Sequence, residues 1–229
     1  MKHYKITDKD GKTRNDTQWG ENVSHEITKP GTTLCSDKVF HGYKTPEMAV
    51  FMNPAHGGYD EKTMLLWEVS GVKVADDGTK LGFKKQTTIR QIEKPIITTE
   101  QRVEIAIRCA MKVSKDRQWR KWARNWITGK DRTANAAYAA YAAANADYAA
   151  YADYAAYAAN AAANAAANAA DAAAYADYAA YADYAAYAAN AAANADYADY
   201  AANAAARAAD AANGKVNISR IVKSVLNKC

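Results

Sequence analysis

Few residues in this chain have the types and spacing that do chemistry. There are four histidines, and three of them, His25, His41 and His56, have an acid within a few positions. An imidazole near a carboxylate can serve general acid–base work, but such proximity is ordinary by chance. No paired-histidine spacing suits zinc. The glycines are scattered singly apart from Gly57-Gly58, so no phosphate-cradling loop is written into the chain. The three cysteines, Cys35, Cys109 and Cys229, make an odd set with no short spacing, which fits a reducing cytoplasm better than a disulfide framework. These residues designate no catalytic group, no metal site and no cofactor. A non-enzymatic protein is the expectation.

One further cluster invites a binding reading. Trp119, Trp122 and Trp126 are spaced three and four apart, with Arg117, Arg120, Lys121 and Arg124 among them. Aromatic rings interleaved with cations bind nucleic acid in some proteins. On a helix, the same spacing makes one buried tryptophan face with the basic residues opposite, and that face would dock the rest of the chain.

Several elements must position these residues. Residues 2–6 and 18–28 read as strands, bounded by Asp10-Gly11 and Pro30-Gly31. Thr45-Pro46-Glu47 opens a helix that runs Met48–Met52 and stops at Asn53-Pro54. Leu65–Val74 and Lys80–Ile92 flank Asp76-Asp77-Gly78 as a hairpin. Thr98 and Gln101 form a capping-box pattern ahead of a helix of about 15 residues. The predicted head, residues 1–96, is α+β with a mainly antiparallel sheet. Residues 97–133 are connecting amphipathic helices.

The composition changes abruptly at residue 134. Residues 134–213 hold 49 Ala, 13 Tyr, nine Asn, eight Asp and one Arg, with no Gly and no Pro. Alanine is the strongest helix former and nothing β-branched interrupts it. Residues 145–164 and 175–194 differ only in their first residue. The larger residues recur about every 3.3 positions, short of the 3.6 of an α-helix, which winds an apolar stripe left-handed. The expected fold class is therefore an α+β head followed by an all-α Ala-rich helical repeat over 134–213, wound as a left-handed superhelix. Residues 214–229 carry Ile218, Ile221, Val222, Val225 and Leu226 as an amphipathic capping helix. Tyrosine supplies rigid contact area at small entropic cost. The repeat's candidate partner-binding residues are Tyr148, Tyr151, Asp153, Tyr154, Tyr178, Tyr181, Asp183 and Tyr184.

Charge is partitioned in the same way. Residues 1–133 hold 25 Lys and Arg against 17 Asp and Glu, whereas the repeat holds eight Asp and one Arg. A basic head leaves nucleic acid open as a partner. Opposite charges in one chain leave self-association open. The chain opens Met-Lys-His-Tyr with no apolar run after it, so no signal peptide is read. Polar residues every three or four positions exclude a membrane span from the alanine tract.

The stretch from Cys35 to Pro54, with the first strand and LLWEVSG, resembles an uncharacterised phage and prophage domain family. Cys35, Phe40, His41 and Pro46 match its pattern, and Tyr43 stands where that family has a second Cys. Members are often followed by Ala-rich repeats like those of proteins described as immunity proteins. The resemblance implies a phage protein acting in the cytoplasm of an infected or lysogenic bacterial host. There the repeat would bind a host protein, as in counter-defence. The order of strand, short helix and LLWEV strand is also similar to ADP-ribosyltransferase-type folds. That likeness implies a nucleotide-binding head with His41 as a ligand for a nicotinamide dinucleotide, although Glu68 lies on the wrong strand to be the catalytic Glu of such enzymes. A structural spacer or virion component is the third expectation.

Overall fold

The computed structural model describes residues 2–34, 36–133, 135–140, 159, 162–164, 166–167, 196–211 and 216–227. Two compact units divide the chain: Met1–Ile97 with Asn217–Cys229, and Thr98–Val216.

The first unit is built on an antiparallel sheet. Its strands are β1 (His3–Thr7), β4 (Ser24–Glu26), β5 (Phe40–Gly42), β6 (Leu65–Asp76) and β7 (Leu81–Ile92), and a small ribbon pairs β2 (Lys12–Thr13) with β3 (Thr17–Gln18). The order is β1-β6-β7-β4, with β5 also paired to β7. The long β6–β7 hairpin forms where Asp77-Gly78 reads as a turn. Gly78 takes φ 87°, and Asp77 Oδ1 accepts from Thr79 N, Thr79 Oγ1 and Lys80 N. Gly71 on β6 sits opposite Gln86, and a Cβ there would stand 2.2 Å from the Lys85 carbonyl oxygen. One face of the sheet buries Leu66, Val69, Leu81 and Phe83, and α1 (Pro46–His56) adds Met48, Phe51 and Met52 to the core.

Two elements differ from the sequence expectation. The stretch 18–28 is not one strand. It breaks at Gly20–Asn22, where Asn22 takes φ 58°, and Thr88 secures the bend by donating its hydroxyl to Gly20 O and Val23 O. The helix opened by Thr45 passes through Pro54 to His56 instead of stopping before it. Asn53 anchors the chain that follows. It is buried, donates Nδ2 to Tyr59 O at 2.7 Å and accepts from Tyr59 N at 3.1 Å. The chain after the helix is thereby pinned to the helix.

The second unit contains α2 (Thr99–Ala110), α3 (Arg117–Ile127) and α4 (Asp196–Ala211). Thr98 and Gln101 form the expected capping box on α2. On α3, Trp119, Trp122 and Trp126 are buried, while Arg117, Lys121 and Arg124 are exposed. Trp119 Nε1 donates to Ala159 O at 3.0 Å, so the tryptophan face holds a residue of the alanine tract. The last helix, α5 (Ile218–Leu226), falls in the first unit and contacts α1.

The fold class expected from the sequence is corrected here. An all-α Ala-rich repeat wound as a left-handed superhelix after an α+β head is not the architecture. The structure is an antiparallel sheet core with short helices. Among the described residues the alanine tract contributes one named helix, α4, of 16 residues. α4 packs against α2 and buries Ala201, Ala202, Ala204, Ala205 and Ala208. Alanine removes little area from water, so a helix made of it gains most beside a helix that carries larger apolar groups. α2 carries Val103, Ile105 and Ile107 among its buried residues. No described helix is long and apolar enough to cross a membrane.

Candidate anion-binding cavity

A cavity of about 380 Å3 opens in the first unit, and five separate stretches of chain line it. β1 places Lys5, the β2–β3 turn places Arg14 and Asn15, and β5 places Phe40 and His41. The C-terminal turn of α1 places His56, and Lys80 precedes β7. Local geometry fixes each of them. Asn15 and Asp16 take φ 63° and 52°, which folds the turn back and presents Arg14. Tyr4 and Tyr43 exchange backbone hydrogen bonds of 3.0 and 2.7 Å, which ties β1 to the end of β5. Lys5 and His41 are thereby brought together from positions 36 residues apart.

Lys5 is the most unusual group. Its side chain is only 4 % exposed although it carries an amine. Nζ donates to His41 O at 3.1 Å and lies 4.2 Å from the Trp19 ring centroid. Burial lowers its pKa from 10.5 to about 7. The carbonyl and the ring face both favour the charged amine, but neither supplies a countercharge.

The histidines are neutral bases. Burial lowers His41 from 6.5 to about 4, with Lys80 and Lys5 adding repulsion. His56 drops to about 4 for the same first reason, with Lys80 next. His56 ends a helix, and the helix dipole favours its charged form by roughly 0.3–1 kcal/mol. A fall of that size in pKa corresponds to roughly 3 kcal/mol, so burial wins. Tyr43 Oη stands 3.3 Å from His56 Nδ1, with the two rings stacked at 6.0 Å. Tyr59 is raised by burial and by Asp8. Among the described residues, Lys5, Arg14 and Lys80 line the cavity with one carboxylate, that of Asp37. The excess of cations suits an anion by charge, and the rings offer faces and polar edges.

Of the sequence candidates, His41 lies in this cavity. His56 joins it, whereas His25 does not: its Nε2 meets Gln18 O at 2.8 Å and its ring packs on Trp19. Glu68 is elsewhere, held by Lys2 and Arg90 at 3.1 Å each. Cys109 is buried, and its thiol is pushed up to about 12 by burial, which leaves it unreactive. No group of three possible metal ligands occurs among the described residues. Tyr148, Tyr151, Asp153, Tyr154, Tyr178, Tyr181, Asp183 and Tyr184 lie outside the described residues, as does Cys35.

Sequence reasoning missed Lys5, Arg14 and Lys80. No local signal separates Lys5 from an ordinary lysine on the short mixed strand HYKIT. Arg14 and Lys80 sit in turns, where cations are commonplace. Comparison with known proteins adds nothing to this geometry: no family model, curated protein or solved structure matches the chain.

Proposed function

We propose that the sheet unit binds a phosphate-bearing, ring-containing small molecule of nucleotide type in this cavity. The observation that carries the reading is Lys5, a desolvated amine that among the described residues meets a carbonyl and a ring rather than a carboxylate, in a chamber that also holds Arg14 and Lys80. A buried cation without an anion is costly. A ligand phosphate brought in by Arg14 and Lys80 supplies negative charge beside the protonated fraction of Lys5, in a setting where water competes poorly. The likeness to ADP-ribosyltransferase-type folds makes a nicotinamide dinucleotide the first ligand to try. Binding, not turnover, is the activity this reading assigns.

A second reading concerns the alanine tract. Its 13 Tyr and eight Asp against one Arg favour a docking surface for a host protein, in keeping with the phage-family resemblance and with action in the host cytoplasm. That reading rests on composition.

Thermal unfolding of the full chain with nicotinamide dinucleotide, ADP-ribose, ATP or inorganic phosphate tests the first reading. At a hundredfold excess over Kd, a bound ligand adds about 2.7 kcal/mol, a rise of several degrees. His41→Ala should abolish the rise. No rise with any of the four would refute the reading.

A further inference from the structure

Lys5 differs from the other two cavity cations in a way that matters for reactivity. Arg14 is exposed at a turn, and a guanidinium stays protonated. Lys80 is buried at the end of a hairpin whose polar turn groups surround it. Lys5 is almost fully buried and has an aromatic ring against its amine. The Trp19 ring lies 4.2 Å from its amine. Nζ spends one hydrogen on His41 O. In the neutral amine this leaves the lone pair free to be directed at a ligand. Two imidazoles, His41 and His56, line the same cavity, and Tyr43 Oη stands against the second.

We propose that Lys5 is a nucleophilic amine that takes a phosphorylated aldehyde or ketone as an imine. The inference rests on the cavity being the anion site described above, because the phosphate must be held by Arg14 and Lys80 for the carbonyl to reach Lys5. The Lys5 nitrogen forms a bond to the carbonyl carbon and the oxygen takes up a proton. The carbinolamine then loses that oxygen as water, and a carbon–nitrogen double bond remains. No oxidant or reductant takes part. A neutral imidazole can take the proton that leaves nitrogen and return it to the departing oxygen. A desolvated lysine in an apolar pocket is an established way to obtain a neutral amine at neutral pH. Lys5, with its pKa near 7, is about half unprotonated at that pH, against roughly one in 3,000 for an ordinary lysine.

Pyridoxal 5′-phosphate, which carries both an aldehyde and a phosphate, is the probe. The full chain is treated at pH 7, reduced with borohydride to fix any imine, and mapped by peptide mass spectrometry. Lys5 is expected to label at least about tenfold faster than exposed Lys29 and Lys115. Pyridoxal, without the phosphate, should lose that preference. Lys5→Arg, which keeps the charge, should carry no label at this position. Should Lys5→Arg fail to fold, the wild-type pH profile serves instead: the Lys5 rate should reach half its maximum near pH 7, while surface lysines keep rising towards pH 10. Labelling of Lys5 no faster than the surface lysines overturns the proposal. If a nucleotide still raises the melting temperature in that case, the imine fails and the anion site stands. If Lys5 labels selectively but equally with pyridoxal, and no nucleotide protects it, the proposed phosphate site fails and this inference falls with it.

Discussion

Replacing Lys5 with methionine should stabilise the protein at neutral pH, and the gain should disappear as the pH rises. The folded state holds Lys5 at about 7, against 10.5 when it is free. Between those values the unfolded chain binds a proton that the folded chain does not, so stability climbs with pH across that window. The penalty is complete below pH 7 and gone above pH 10.5. Integrated to pH 7, it amounts to about 4 kcal/mol. Methionine has a similar unbranched length, no charge and no donor. The substitution also loses the hydrogen bond to His41 O and the Trp19 contact, each worth about 1 kcal/mol. The net expectation is a gain of roughly 2 kcal/mol at pH 7, turning into a loss of roughly 2 kcal/mol near pH 10.5.

Urea unfolding of both proteins, read by near-ultraviolet circular dichroism at pH 7, 8, 9 and 10, measures this. Subtracting the two curves cancels the titrations they share. A difference that stays flat with pH would refute the reasoning, since it would mean that the amine keeps its ordinary proton affinity and is not desolvated. The same variant should also lose the nucleotide-induced rise in melting temperature. A more stable protein that no longer binds is what a functional site held at a cost to stability predicts.

Two further substitutions probe the supports around the site and the second unit. Asn53→Ala strips both hydrogen bonds from the backbone of Tyr59, so it should cost about 2–3 kcal/mol in urea unfolding and weaken ligand binding by loosening the cavity wall; unchanged stability would show that Asn53 does not pin that loop. Trp119→Phe removes the donor to Ala159 O at a fully buried position, and it should cost about 1–3 kcal/mol with little effect on nucleotide binding; a loss of nucleotide binding at unchanged stability would contradict the role given to it.

Much of the first unit was legible because its signals are local. Thr45-Pro46 fixes a helix start through one side-chain cap and one locked φ, and Asp77-Gly78 fixes a hairpin through a left-handed glycine. Those effects act within four residues, and a sequence displays them directly. The bend at Gly20–Asn22 was not legible because a distant partner holds it, and the passage of α1 through Pro54 was not legible because proline ordinarily ends a helix. Thr88 on β7 is that partner, and Asn53 reaches forward to Tyr59 after the helix. The alanine tract misled for a related reason. Its composition sets helical propensity strongly, whereas what a helix packs against is set by surfaces elsewhere, and α4 lies on α2.

The site shows the same division more sharply. His41 stands out in the sequence by residue type, as a histidine beside Phe40 and just ahead of the proline-led helix start. Nothing in the sequence says that Lys5 is buried. A lysine on a five-residue strand is ordinarily a solvent-facing residue, and only the placement of the Trp19 ring and the His41 carbonyl around it reverses that. Each is placed by a different pairing: Trp19 follows the separate β2–β3 ribbon, and His41 is held by the Tyr4–Tyr43 bridge between β1 and the end of β5. The chemistry assigned to Lys5 is therefore a property of the sheet register. Shifting β1 by one residue would turn its side chain to the opposite face, leaving the same sequence with a surface lysine of ordinary basicity and a cavity without its amine.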